Sequence, residues 1–342
     1  MNNEIWQQLL SLESEDIVQK WFKRIHKNTL NGRRTKEINS AAKQAREYFR
    51  NSANANHYVK PLLTYYGVTS LSRALILLLK KNGGEETLSQ GHGIETVSWS
   101  KSLCGKITFD SFLNLKIETC SGLYEDLLEI TNNKINLHVN SSSVDWGLNY
   151  NISKNKAQIS LRELFQRIPD LEKDFGQIDE ELLFSNIVSL TYSEDDGIKI
   201  KTNKNISETL RKYYQDLQYN ITEENETYCL SYNGKDVFDK LPMFIHSYIH
   251  KMFGSIPSLY LTIPFDNNYY VSQLCITYLV SYYLGMLVRY FPTQWMSTIQ
   301  GNKGDMLWPT INRCQHLVEN TFPELVIEMI NDILDRGWNS IK

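Results

Sequence analysis

Arg50, Asn51 and His57 are the residues of this 342-residue chain whose types and spacing best suit a chemical step. An arginine can neutralise the phosphate of a scissile ester. A histidine of near-neutral pKa can take the proton of a ribose 2′-hydroxyl. Asn51 supplies a polar group directly after the arginine. Together they suit a ribonuclease that needs no metal. The same residues also suit a solvated helix end and loop with no substrate at all.

Two further sets of residues suit binding. Arg33, Arg34, Lys36, Lys43, Arg46 and Arg50 make one stretch basic, whereas 170–181 and 194–196 are acidic. These are either two solvated surfaces or, with Arg33, Arg34 and Arg46 as its centre, a basic face for RNA or an acidic protein. Arg289 ends a very apolar segment beside Tyr290, Pro292 and Trp295. It suits the free carbonyls of a helix end, a stack on Trp295, or an anion in a pocket shared with Tyr66.

Metal and cofactor chemistry finds no support. His246 and His250 are four apart, as two ligands on a helix face would be, but Ser247, Tyr248 and Ile249 lie between them, without the glutamate of a zinc protease. His92 sits in Gln90-Gly91-His92-Gly93, where glycines would let backbone approach a phosphate, yet no full phosphate loop follows. No Gly-x-Ser-x-Gly elbow or kinase-like set occurs. No metal ligand and no cofactor are therefore expected.

These residues need elements to hold them. Up to about Lys81 the pattern is helical. Ser14-Glu15-Asp16 reads as a capped start before Ile17, Trp21 and Ile25. Thr35 to Arg50 reads as a second helix, and Pro61 opens a third that stops at Asn82-Gly83-Gly84. From 91 to 177 the texture changes. Lys106-Ile107-Thr108-Phe109 and Lys134-Ile135-Asn136-Leu137-His138-Val139 read as strands, with a helical Ser160 to Phe175 after them. Asn186 to Thr202 predicts a hairpin turning at Asp195-Asp196-Gly197, Ile206 to Tyr219 a helix, and Glu226 to Tyr232 a strand. Tyr269 to Tyr290 predicts a deep core helix ended by Pro292, and Pro309 to Trp338 a last helix interrupted near Pro323. The fold class expected is α+β and predominantly helical. Residues 1–90 and 236–342 form helical regions packed as one core, with a strand-containing middle at 91–235.

Composition narrows the setting. A net charge of −3 gives no global reason for tight binding to nucleic acid or an acidic membrane. Twenty tyrosines predict many hydrogen-bonded phenols. Cys104, Cys120, Cys229, Cys275 and Cys314 are scattered, as reduced cytoplasmic thiols would be. The first residues carry no basic-then-apolar signal pattern. Leu274 to Val288 falls short of the roughly 20 residues that span a bilayer, so membrane insertion is not expected.

Three segments in order resemble the YaaC-like family of bacterial proteins. They are Pro61-Leu62-Leu63-Thr64-Tyr65-Tyr66-Gly67 with Leu71 and Ala74; Ser160-Leu161-Arg162-Glu163-Leu164-Phe165 through Leu171; and Ser281-Tyr282-Tyr283-Leu284-Gly285 through Trp295, with Phe322-Pro323-Glu324-Leu325 downstream. The resemblance implies a cytoplasmic bacterial protein and brings no established activity with it. Locally, Arg50-Asn51 and His57 resemble the motif of HEPN ribonucleases, helical bundles that usually work as dimers, which implies a homodimer. The function expected is thus interaction with a protein or nucleic acid. The alternatives are a HEPN-type ribonuclease in phage defence or a toxin system, and a regulator that binds a small ligand near Tyr66 and Arg289.

Overall fold

The computed structural model describes residues 2–104, 108–134, 149–153, 156–178, 181–203, 206–224, 227–237, 246–250, 258–301 and 305–336. Its helices are α1 (Asn3–Leu9), α2 (Glu15–His26), α3 (Gly32–Asn54), α4 (Lys60–Leu79), α5 (Trp99–Leu103), α6 (Phe109–Leu113), α7 (Leu123–Ile130), α8 (Leu161–Phe165), α9 (Glu172–Phe175), α10 (Glu208–Asp216), α11 (Gln273–Tyr290), α12 (Pro292–Ile299) and α13 (Trp308–Arg336). The strands are β1 (His92–Val97), β2 (Lys116–Gly122), β3 (Gln158–Ser160), β4 (Phe184–Ser193), β5 (Gly197–Asn203), β6 (Asn220–Glu224), β7 (Thr227–Tyr232), β8 (His246–His250) and β9 (Ser258–Thr262).

The helical ends of the chain pack on each other. α4 lies against α3, α11 and α13, and α1 reaches α13. Leu71, Leu75 and Leu78 of α4 share one buried cluster with Leu279 and Leu287 of α11 and Leu317, Phe322 and Ile330 of α13. Burying so many large apolar side chains, each contributing about 1.5–3 kcal/mol, is what draws segments 200 residues apart into one core. α4 passes for a membrane span by length and composition, as does α11 taken with α12 across their 108° bend. Yet 72% of the apolar window of α4 is buried inside the fold, where a core helix belongs.

Two antiparallel sheets occupy the middle. The first runs β1-β2-β3 and belongs to the helical core through Ile94, Ile117 and Ile159. The second runs β6-β7-β5-β4-β9-β8 and gathers its own smaller cluster around Ile198, Ile200, Leu230 and Leu261, covered by Leu210 and Tyr214 of α10. The β4–β5 hairpin closes at Ser193 opposite Gly197, whose φ of +69° suits a residue without a Cβ. Arg167 ties the end of α8 to the second sheet. Its guanidinium donates to the carbonyls of Ile263 (3.0 Å) and Pro264 (2.9 Å) and lies over the Phe265 ring.

Some local expectations differ from the fold. Thr108 and Phe109 begin α6 rather than lie in a strand, because Thr108 and Ser111 cap that helix reciprocally. Lys106 and Ile107 fall outside the described residues, as does the expected strand beyond Lys134. The segment before α11, read as helical, contains β8 and β9, and β9 pairs with β4 on the opposite side from β5. His246 and His250 therefore stand on a strand. α13 runs through Pro323 without interruption. A proline costs about 3 kcal/mol inside a helix, but Phe322, Leu325 and Val326 around it are buried, and that packing holds the helix together.

Phenols behave as the composition implies. Tyr283 donates to the carbonyls of Leu115 (2.8 Å) and Ile159 (2.5 Å), Tyr214 to that of Thr262, and Tyr124 meets Tyr269. Each brings a large apolar body into the core and satisfies its one polar atom there.

Candidate functional site

The turn between α3 and α4 carries His57, and three elements meet there. Pro61 at the start of α4 fixes the helix entry, because its missing amide hydrogen lies where no helical partner exists. The His57 carbonyl accepts from the buried Trp295 indole of α12 at 2.9 Å. Its imidazole stands edge-on to Trp308 at the start of α13, with centroids 4.9 Å apart. Trp308 in turn lies 6.3 Å from the Trp295 ring. Two sequence candidates 238 residues apart, His57 and Trp295, are thus one contact. Trp295 acts from inside as a tie rather than as a stacking surface.

Beneath His57 lies a polar knot that sequence reasoning did not find. Glu319 of α13 accepts from Ser52 at 2.9 Å and Gln315 at 3.0 Å, and pairs with Lys60 at 3.4 Å and His316 at 3.7 Å. Ser52 and Thr64 meet at 2.6 Å, and Gln315 donates to Thr64 at 2.5 Å. Ser52, Lys60, Thr64 and Gln315 are buried, so the knot joins α3, α4 and α13 through satisfied polar groups. The recoverable signal was Ser52, Lys60 and Thr64, polar residues on helix faces that otherwise turn inward. Although His57 is exposed, partial desolvation beside Trp308 and the nearby Lys60 and His316 charges lower its pKa below the ordinary value, against the pull of Glu319.

Arg50 and Asn51 do not join this group. Both are exposed at the end of α3, where Arg50 pairs with Glu47 and the Asn51 amide donates to the Glu47 carbonyl at 2.8 Å. No hydrogen bond, ion pair or ring contact links Arg50 with His57 among the described residues.

The four arginines of the basic stretch are committed within the chain, whereas Lys36 and Lys43 are exposed. Arg34 is buried, lies over the Phe22 ring, and donates to the carbonyls of Leu77, Lys80 and Lys81, closing the C-terminal end of α4. Arg46 binds both carboxylate oxygens of Glu13, at 2.6 and 3.0 Å. Arg33 bridges Glu37 and Glu86 at the surface. A cavity of about 260 Å³ beside Arg33 and Arg34 is lined by 28–31 and 81–84.

Tyr66 and Arg289 flank a second cluster. Tyr65, next to Tyr66, bonds the His92 Nδ1 at 2.6 Å, and Tyr278 donates to the His92 carbonyl at 3.3 Å. Tyr282 meets both Tyr65 and His92 ring to ring. Burial keeps the His92 imidazole below its ordinary pKa, and the Arg289 charge adds to this. Arg289 itself is exposed and lies over the neighbouring Tyr290 ring, 5.0 Å from its centroid, rather than over Trp295. Among the described residues no group of three His, Cys, Asp or Glu converges on a metal position.

The ordered segments on α4, α8, α11 and α13 are matched as one unit. The YaaC-like protein family model covers residues 10–330. The chain belongs to the YaaC-like protein family. That match spans both sheets and every helix described above except α1, although α13 runs a few residues past it. No curated protein and no solved structure matches the chain. Family membership therefore comes without a named reaction, and the HEPN resemblance is not shown.

Proposed function

We propose that this YaaC-like chain acts by docking a protein partner, and that the docking face is the corner around His57 and Trp308. One observation carries the reading. Of seven large apolar side chains exposed among the described residues, Tyr58, Val59, Met296 and Met306 lie within two residues of His57, Trp295 or Trp308. The contacts of His57 with Trp295 and Trp308 join the three segments that carry them, and neighbouring apolar groups on a surface gain free energy when a partner removes water from them. A nucleic-acid face would instead need free cations along a groove. Arg33, Arg34, Arg46 and Arg50 are all held by the chain's own carboxylates or carbonyls, which leaves Lys36 and Lys43 as the exposed cations of that stretch, too few to line a groove. The test is association of the purified full chain with itself by light scattering over a concentration series, and with cellular protein by affinity capture. Val59→Asp with Met296→Asp should abolish the complex while leaving the unfolding midpoint within a few degrees. A complex that survives both charges contradicts the reading.

A second reading has its own observation. His57 lies near His316, with the buried, Glu319-paired Lys60 beneath them, so one chain brings together two imidazoles, the groups a metal-independent ribonuclease uses to move protons. Under this reading the protein cuts single-stranded RNA in excess chelator, and His57→Ala and His316→Ala each abolish cutting. The docking reading expects no cutting from any of the three proteins.

A further inference from the structure

A cavity of about 420 Å³ opens between the outer faces of α3 and α4, lined by residues 40, 41, 44, 48, 66, 69, 70, 73 and 85. It is distinct from the His57 corner. Its size falls at the lower end of the range for small-molecule sites, roughly 300–1,000 Å³. One wall is aromatic, with the Tyr48 and Tyr66 rings 5.5 Å apart and inclined at 37°. Neither phenol hydroxyl has a hydrogen-bond partner among the described residues. Across from them Gln44 accepts from Ser70 at 3.2 Å through its amide oxygen, which leaves its amide nitrogen with two unused donors. The charges cancel, since Arg73, the cation of the lining, is paired at 3.2 Å with Glu85, its anion.

We propose that this cavity binds a neutral, planar heterocycle with donors and acceptors along its edge, the chemistry of a free nucleobase. The ring faces supply stacking surface. The Tyr48 and Tyr66 hydroxyls and the Gln44 amide supply edge contacts that nothing in the chain uses. A phosphorylated ligand is disfavoured, because Arg73 would first have to leave Glu85 and the freed carboxylate would face the phosphate. The site rests on geometry alone and stands whether or not the docking face does.

The test is isothermal titration of the full-length protein with adenine and with uracil, checked by ligand-observed saturation-transfer NMR, with inorganic phosphate as a competitor. One base should bind saturably with a dissociation constant below millimolar, and phosphate should not displace it. Gln44→Ala should weaken it by about two- to tenfold, the usual worth of one neutral hydrogen bond. Ser40→Trp, placed on an exposed helical position so that the fold is kept, should fill the entrance and remove binding altogether. Absence of saturable binding for both bases overturns the proposal. So does binding that survives Ser40→Trp, or displacement by phosphate.

Discussion

From α13, Glu319 joins three helices, accepting from Ser52 of α3 and pairing with Lys60 of α4. Its carboxylate and Lys60 are both nearly buried, with side-chain exposures of 12% and 9%. Removing one member of such a pair strands the other charge, so Glu319→Ala should lower stability by about 3–5 kcal/mol in chemical denaturation. Lys60→Met combined with Glu319→Leu should cost less than Glu319→Ala alone, because Ser52, Thr64 and Gln315 still bond one another. A double variant weaker than the single one contradicts this. Titration gives a second prediction at the same scale. Burial pushes the Asp170 carboxyl up to about 7 from an ordinary 3.8, against the pull of Arg313. A raised carboxylate pKa means that the folded state prefers the proton. The cost to stability grows between pH 4 and 7 and is complete above 7. Asp170→Asn should therefore gain on the natural protein by about 1–3 kcal/mol at pH 8 and show little difference near pH 4, read from denaturant midpoints. His26, His57 and His92 work in the other direction. Desolvation lowers each below 6.5, through partial burial at His26 and His92 and more weakly at the exposed His57, so their contribution is full above that pH and is lost as pH falls below it.

At the scale of elements, the crossing of the long helices depends on two glycines. A Cβ at Gly67 would stand 2.7 Å from the Phe49 ring, and one at Gly285 would stand 2.8 Å from the Tyr65 Cβ. Gly67 lets α4 approach α3, and Gly285 lets α11 approach α4. Gly285→Ala should destabilise by about 1–3 kcal/mol through overpacking, whereas Gly32→Ala, with open space around it, should not. Equal unfolding midpoints for the two variants would count against this. The helices themselves were legible in the sequence. Pro61, the apolar period of α4 and the run of α11 are local signals. Their crossing was not, because Tyr65 meeting Gly285 is a contact between residues 220 apart and leaves no periodic trace. The same reason hid the strand β9, whose partner β4 lies over sixty residues away.

For the whole molecule, the sequence marked His57 and Trp295 separately but could not join them. It marked Arg34 and Arg46 as a binding face, although the fold buries Arg34 against the Leu77 carbonyl and engages Arg46 with Glu13. A basic residue in a helix reads the same whether it faces water or caps another helix. The exposed apolar side chains at the corner were equally illegible, since exposure is decided by what α12 and α13 leave uncovered. The most direct measurement on that corner is site-specific photocrosslinking in living cells. A photoreactive phenylalanine analogue replacing Tyr58 should capture a protein, either a second copy of the chain or a different one of defined mass. The same analogue replacing Val188, equally apolar and exposed on β4, should capture nothing. Crosslinks from Val188 but not from Tyr58, or none from either position, would contradict the docking face.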